Sequence, residues 1–261
     1  MAKRGYVDTP EGQIHYQTQG EGEPLLLLHQ ACLSSEEYFL VIPILGKRYR
    51  VLALDLPAHG YSDAPERRFD IEDYARNVIH FFDGLGIDSA HIAGHHTGAS
   101  ITTEVAAAYP DRVRKIVLSG CPVYNAAVRG EHHKSPPAKF KYMEIAEDGS
   151  YLTRVWETEK GKSEPNPRIW HRMVVSHLLV GEKDQDTHLA VMAYDIEKRL
   201  PLIKCPALVL SGDRDVFYNK LGYTQSLIPN AEQAILKGGY LRPALDQPEE
   251  FSEMVLQFLK G

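Results

Sequence analysis

Apolar runs and helical periodicities alternate along most of the 261-residue chain. Short alternating stretches at Arg4–Asp8 and Gln13–Gln19 flank Thr9-Pro10-Glu11-Gly12, which is the turn chemistry of an antiparallel hairpin at a sheet edge. Leu25–Leu28 is an unbroken apolar run, as expected of a strand covered on both faces. A helix is predicted over Glu36–Lys47, capped by Ser34 or Ser35, and a strand over Arg50–Leu56. Apolar residues at Ile71, Tyr74, Ala75, Val78, Phe81, Phe82 and Leu85 have helical spacing and stop at Gly86. A strand at Ala90–Ala93, a helix at Gly98–Tyr109 stopped by Pro110, and a strand at Val113–Leu118 follow. Strands and helices joined by short connections predict a mostly parallel α/β sheet with helices on both faces.

The alternation lapses between Pro122 and Leu200. This stretch holds Pro136, Pro137, Pro165 and Pro167, both tryptophans (Trp156 and Trp170), and helical pieces around Lys139–Ile145, Ser150–Thr158 and Trp170–Leu179 with no strand between them. It reads as a helical cap, residues 122–200, set into a core made of residues 1–121 and 201–261. The sheet pattern resumes with a strand at Ala207–Leu210, a helix at Phe217–Ile228, a strand at Glu232–Leu236 and a terminal helix from Pro248, for about eight strands in all.

Composition narrows the partner. The formal net charge is -6, and Arg67-Arg68 is an isolated basic pair rather than part of a stripe, so no nucleic-acid footprint is present. No run approaches the roughly 18 apolar residues of a membrane span, and the opening residues lack an apolar signal core. Cys32, Cys121 and Cys205 are far apart and read as reduced thiols, which points to the cytoplasm. The expected partner is a small molecule, with no membrane, no nucleic acid and no cofactor; a homodimer is left open.

Candidate chemistry centres on Gly94-His95-His96-Thr97-Gly98, placed between an apolar strand and an alanine-rich helix. A sharp strand-to-helix turn needs small residues around a strained apex, and Gly94 and Gly98 supply them. Together with Ser211-Gly212-Asp213-Arg214-Asp215 after a late strand and Gly238-Gly239-Tyr240 after the last one, this frame resembles the nucleophile elbow, acid loop and terminal loop of the α/β-hydrolase superfamily. His29-Gln30 and Ala58-His59-Gly60-Tyr61-Ser62-Asp63 resemble the family's loops after its third and fourth strands, with Gln30 and Ala58 where glycine is usual.

The resemblance implies an inserted cap and a triad running nucleophile, acid, histidine along the chain. Those positions fall on His96, Asp215 and Tyr240, and no histidine follows His188. A conventional serine hydrolase is thereby excluded. The same resemblance implies an oxyanion site at the backbone of Thr97 and of Ala31 or Gln30, with His29 and His95 nearby. His96 would act as a base oriented by Asp215, with Tyr240 as a polar assistant, in proton transfer at a small carbonyl or ester compound. That chemistry is lyase-type cleavage or direct activation of water. The rival reading is a non-catalytic small-ligand-binding protein on the same fold. Structural roles stand beside each assignment: His29 as loop organiser, His95 as packing, Asp215 as a helix cap with Asp213 as the nearby alternative, and Tyr240 as a plug. A metal held by His29, His96 and Asp215 is the least supported option, because no ligand pair has short metal spacing.

Overall fold

The computed structural model describes residues 2–124, 144–160, 162 and 166–260. The His132-His133 pair, Pro136, Pro137, Pro165 and most of the helix expected over Lys139–Ile145 lie outside the described residues.

The predicted hairpin is β1 (Lys3–Thr9) and β2 (Gly12–Gln19), antiparallel and in continuous register from Lys3 opposite Thr18 to Thr9 opposite Gly12. Then come β3 (Pro24–Leu28), β4 (Arg50–Leu54), β5 (Ala90–His95), β6 (Val113–Ser119), β7 (Ala207–Gly212) and β8 (Ala231–Leu236). Their spatial order is β1-β2-β4-β3-β5-β6-β7-β8, an eight-stranded sheet. β2 meets β4 antiparallel, and every pairing from β4 to β8 is parallel.

The leucine run of β3 shows why the sheet reads as apolar. Leu26 and Leu28 face a core formed with α1 (Ile71–Gly84) and α2 (Thr97–Ala108), whereas Leu25 and Leu27 face the core that α7 (Pro248–Lys260) covers with Phe251 and Val255. All four leucines are fully buried, each worth roughly 1.5–3 kcal/mol of transfer free energy. α1 begins at Asp70, whose carboxylate accepts from the Asp73 amide while the Asp73 carboxylate accepts from the Asp70 amide, a reciprocal cap.

Between β6 and β7 the described residues form helices and no strand: α3 (Ser150–Lys160), α4 (Pro167–Val180) and α5 (Asp184–Ala193). The α4 residues Ile169 and Met173 pack on Leu33 and Leu245, fixing this segment over the loop that follows β3. α6 (Leu221–Leu227) lies between β7 and β8.

One predicted helix is broken. Residues expected to form Glu36–Lys47 give a 3-10 turn at Ser35–Tyr38 and a single α-turn at Ile42–Leu45. Pro43 has no amide to bond back one turn, so the helix restarts there instead of running through. Buried Glu37 is also held toward β5, as described below.

The strand-to-helix turn at His96 sets the spacing between α2 and the sheet. A methyl group at Gly98 would lie 1.9 Å from the Leu28 carbonyl oxygen, and one at Gly94 would lie 2.1 Å from the Gly98 carbonyl oxygen. Both contacts are with backbone and cannot be relieved by rotating a side chain. Gly98→Ala is therefore expected to lower unfolding free energy by about 3 kcal/mol or more, measured by denaturant titration; a loss near that of an exposed helix substitution would contradict the close approach.

Candidate active site

His96 stands at the apex between β5 and α2 with φ 47° and ψ -106°. Its amide donates to the Ser119 carbonyl at 2.9 Å, which ties the apex to β6. The imidazole reaches the loop after β7, where Nε2 and Asp215 Oδ2 are 2.8 Å apart. Gly120 makes room for this pair, since a Cβ there would lie 2.4 Å from the His96 ring.

Although burial pushes the Asp215 carboxyl up, the adjacent His96 and the Phe217 amide, which donates to Asp215 Oδ1 at 2.7 Å, hold it below its ordinary value. An ionised carboxylate only accepts hydrogen bonds, so Nε2 of His96 carries the hydrogen and Nδ1 has the lone pair. Burial, reinforced by neighbouring His95, lowers the His96 pKa, and Asp215 opposes that shift. His96 is thus a neutral imidazole in the neutral pH range, as a general base must be.

His96 faces a cavity of about 280 Å³ that Ala31, Cys32, Thr97, His188 and Arg242 also line. A larger groove, about 740 Å³, runs between Arg48, Tyr49 and α7, and neither His96 nor Asp215 lines it. The smaller cavity is the one that His96 lines.

The other expected residues divide. The Ala31 amide donates to the Thr97 hydroxyl at 3.1 Å, and the Gln30 amide donates to Glu37 Oε2 at 2.9 Å. Both backbone donors of that loop are therefore engaged within the protein. The Thr97 hydroxyl accepts from Ala31, which leaves its own hydrogen for donation. His95 is buried beneath His96, the ring centroids 4.3 Å apart, and its Nδ1 pairs with buried Glu37. His29 is fully buried away from the cavity: Nε2 accepts from the Leu56 amide at 2.9 Å, so Nδ1 carries the hydrogen donated to the Gln30 carbonyl at 2.7 Å. Its surroundings are those of a loop organiser, and it does not gather with His96 and Asp215. The trio that does gather is His95, His96 and Asp215, with potential ligand atoms within 4.8 Å of one another.

Tyr240 stands apart from the dyad. Its hydroxyl accepts from Arg214 Nη1 at 2.5 Å, and the guanidinium carbon lies 4.7 Å from its ring centroid. Two residues further on, Arg242 enters the cavity wall with 1% of its surface exposed. Sequence reasoning missed Arg242; an arginine beside the terminal Gly-Gly loop was its signal. Buried Glu159 of α3 accepts from Lys162 at 2.9 Å and from His177 Nε2 at 2.8 Å and pairs with Arg242. Burial raises the Glu159 carboxyl, yet Arg242 and these other donors hold it well below its ordinary value. The Arg242 Nε has no hydrogen-bond partner among the described residues.

A family model described as alpha/beta hydrolase fold matches residues 23–140. The chain is 37% identical over 107 residues to (E)-2-((N-methylformamido)methylene)succinate hydrolase of Acinetobacter baylyi, a stretch spanning 41% of each protein. It is 25% identical over 253 residues to the dihydrolipoyllysine-residue acetyltransferase component of an acetoin cleaving system of Pseudomonas putida, covering 94% of this chain and 66% of that one. The chain thus spans less than two thirds of the length of these two relatives. Among solved structures, E-2-(acetamidomethylene)succinate hydrolase superposes with a TM-score of 0.85 at 19% identity, covering 100% of both chains.

The dyad geometry sets a titration. Because its pKa is lowered, His96 should take up its proton below the ordinary histidine value of about 6.5 in an NMR titration of the ring. Asp215→Asn removes the group that favours the imidazolium, so the midpoint should move further down; an upward shift would contradict the dyad.

Proposed function

We propose, from the premise that this chain has the α/β-hydrolase fold, that it is an enzyme hydrolysing a small acyl compound that bears a carboxylate. The observation that supports it most directly is the 2.8 Å pairing of His96 with Asp215 at a strained apex bordering the cavity. Nδ1 of His96 takes a proton from water as the oxygen attacks the acyl carbon. The carbonyl oxygen becomes an alkoxide, to which the Thr97 hydroxyl donates. On collapse the leaving group receives the proton from the His96 imidazolium, and Asp215 stabilises that cation while it exists. The segment between β6 and β7 acts as the cap, contributing Lys162 and His188 to the wall.

Charge supports the substrate class. Arg242 and Lys162 both reach the Glu159 carboxylate, so two cationic side chains line this cavity. A carboxylate on the substrate matches it. The names of two similar proteins, both succinate-derivative hydrolases, agree with this class.

Mono-4-nitrophenyl succinate and 4-nitrophenyl butyrate, esters of similar size that differ in charge, test the reading by release of nitrophenolate. His96→Ala should lower kcat/KM for the succinate ester by about 10²–10⁴-fold. Lys162→Met should raise its KM about tenfold without changing that for the butyrate ester. Turnover untouched by His96→Ala would overturn the catalytic role. Binding of succinate with no ester turnover by the unmutated protein would favour the ligand-binding alternative.

A further inference from the structure

Three non-glycine residues among those described have positive φ, and two of them, Cys32 at 72° and His96 at 47°, line the same cavity. The strain at His96 belongs to the elbow. That at Cys32 turns its side chain toward α5: Sγ lies 3.8 Å from Nε2 of His188. One turn earlier on that helix, Asp184 fixes the imidazole. Its carbonyl oxygen lies 3.1 Å and its Oδ1 3.4 Å from His188 Nδ1. Nδ1 therefore carries a hydrogen, and Nε2 is the nitrogen that exchanges a proton with the thiol.

We propose that Cys32 is a second reactive group of this cavity, a nucleophile that accepts the acyl group of the substrate, with His188 as its proton partner and Asp184 as the residue that positions His188. The proposal rests on the acyl hydrolysis assigned above and reorders it: Cys32 attacks the substrate and His188 protonates the leaving group, and the water that His96 activates attacks the resulting thioester instead of the substrate. A base orienting a nucleophile, itself oriented by a carboxylate, is the arrangement that nucleophilic catalysis requires. Burial works against a charged His188, but Cys32 and Asp184 beside it keep its pKa well above the ordinary value. Burial and Asp184 raise the Cys32 thiol. Asp184 also hydrogen-bonds the thiol, and the nucleophilic form of the group is the one in which the thiol has lost its proton while His188 keeps its own.

The steps balance. Cys32 sulfur bonds to the acyl carbon, the bond to the leaving group breaks, and the leaving group takes the proton of the His188 imidazolium. Water then attacks the thioester carbon and gives a proton to His96 Nδ1. The carbon–sulfur bond breaks, releasing the carboxylic acid and the Cys32 thiolate. His96 gives its proton to solvent, His188 regains one, and the net reaction is hydrolysis with no oxidant or reductant.

The charges around this group favour a nucleophile over a metal. Cys32, His177 and Asp184 have potential ligand atoms within 4.8 Å of one another, but Lys162 and Arg242 act on the same cluster, and a divalent cation would add to that positive charge.

Incubation with 4-nitrophenyl acetate, acid quenching and peptide mass mapping test the proposal. The unmutated protein should carry acetyl on the peptide containing Cys32. His96→Ala should accumulate it, because release slows by about 10²–10⁴-fold. His188→Gln should slow both this acetylation and Cys32 alkylation by iodoacetamide about tenfold or more, with alkylation of Cys205 unchanged as the internal reference. Acetyl found on His96, on Cys205 or on no residue of His96→Ala overturns the proposal. Alkylation of Cys32 that appears only after treatment with EDTA would assign the cluster to a metal and also overturn it. Acetyl-Cys32 with full turnover in His96→Ala would support the nucleophile while refuting His96 as the base.

Discussion

The contact on which the site depends is the approach of Gly98 to the carbonyl of Leu28. It allows α2 to start against β3 with no intervening side chain, and that start forces His96 into a conformation few residues adopt. The imidazole is then held over Gly120 and within hydrogen-bond distance of Asp215, which arrives from a loop 119 residues later in the chain. Packing of the parallel strands stabilises the strained turn. The leucines of β3, buried on both faces, make that part of the sheet too rigid to relax around it.

Beneath and beside the dyad lie buried charges that a fold alone would not need. Glu37 pairs with His95 below the apex, and Glu159 gathers Arg242, Lys162 and His177 at the cavity wall. Removing ions of this kind from water costs several kcal/mol each, and hydrophobic replacements are often as stable. Their position around one cavity is consistent with a role in placing charge near a substrate. The two clusters differ in character: Glu37 locks the floor, whereas Arg242 and Lys162 bring two cationic side chains to the wall.

Much of the architecture was legible because it follows from local pattern. The leucine run, the Pro-Gly turn and the helical spacing from Ile71 each act over a few residues, and the structure has the elements they imply. Sequence pattern failed at Glu36–Lys47, where Pro43 interrupts the backbone ladder. At the site, the spacing of Gly94 and Gly98 exposed the elbow, and the loop after β7 pointed to Asp215. Cys32 and His188 were not legible as a pair, since 156 residues separate them and helical periodicity does not say which face of α5 meets which loop. Arg242 was hidden for the same reason, while Tyr240, two positions earlier, points to Arg214.

A double-mutant cycle on kcat/KM with His96→Ala, Asp215→Asn and the combined variant, using mono-4-nitrophenyl succinate, tests the central claim that these two residues form one base. If Asp215 acts through His96, the combined variant should be no slower than His96→Ala alone. Losses that simply multiply in the combined variant would show that the residues act independently, and would contradict the account.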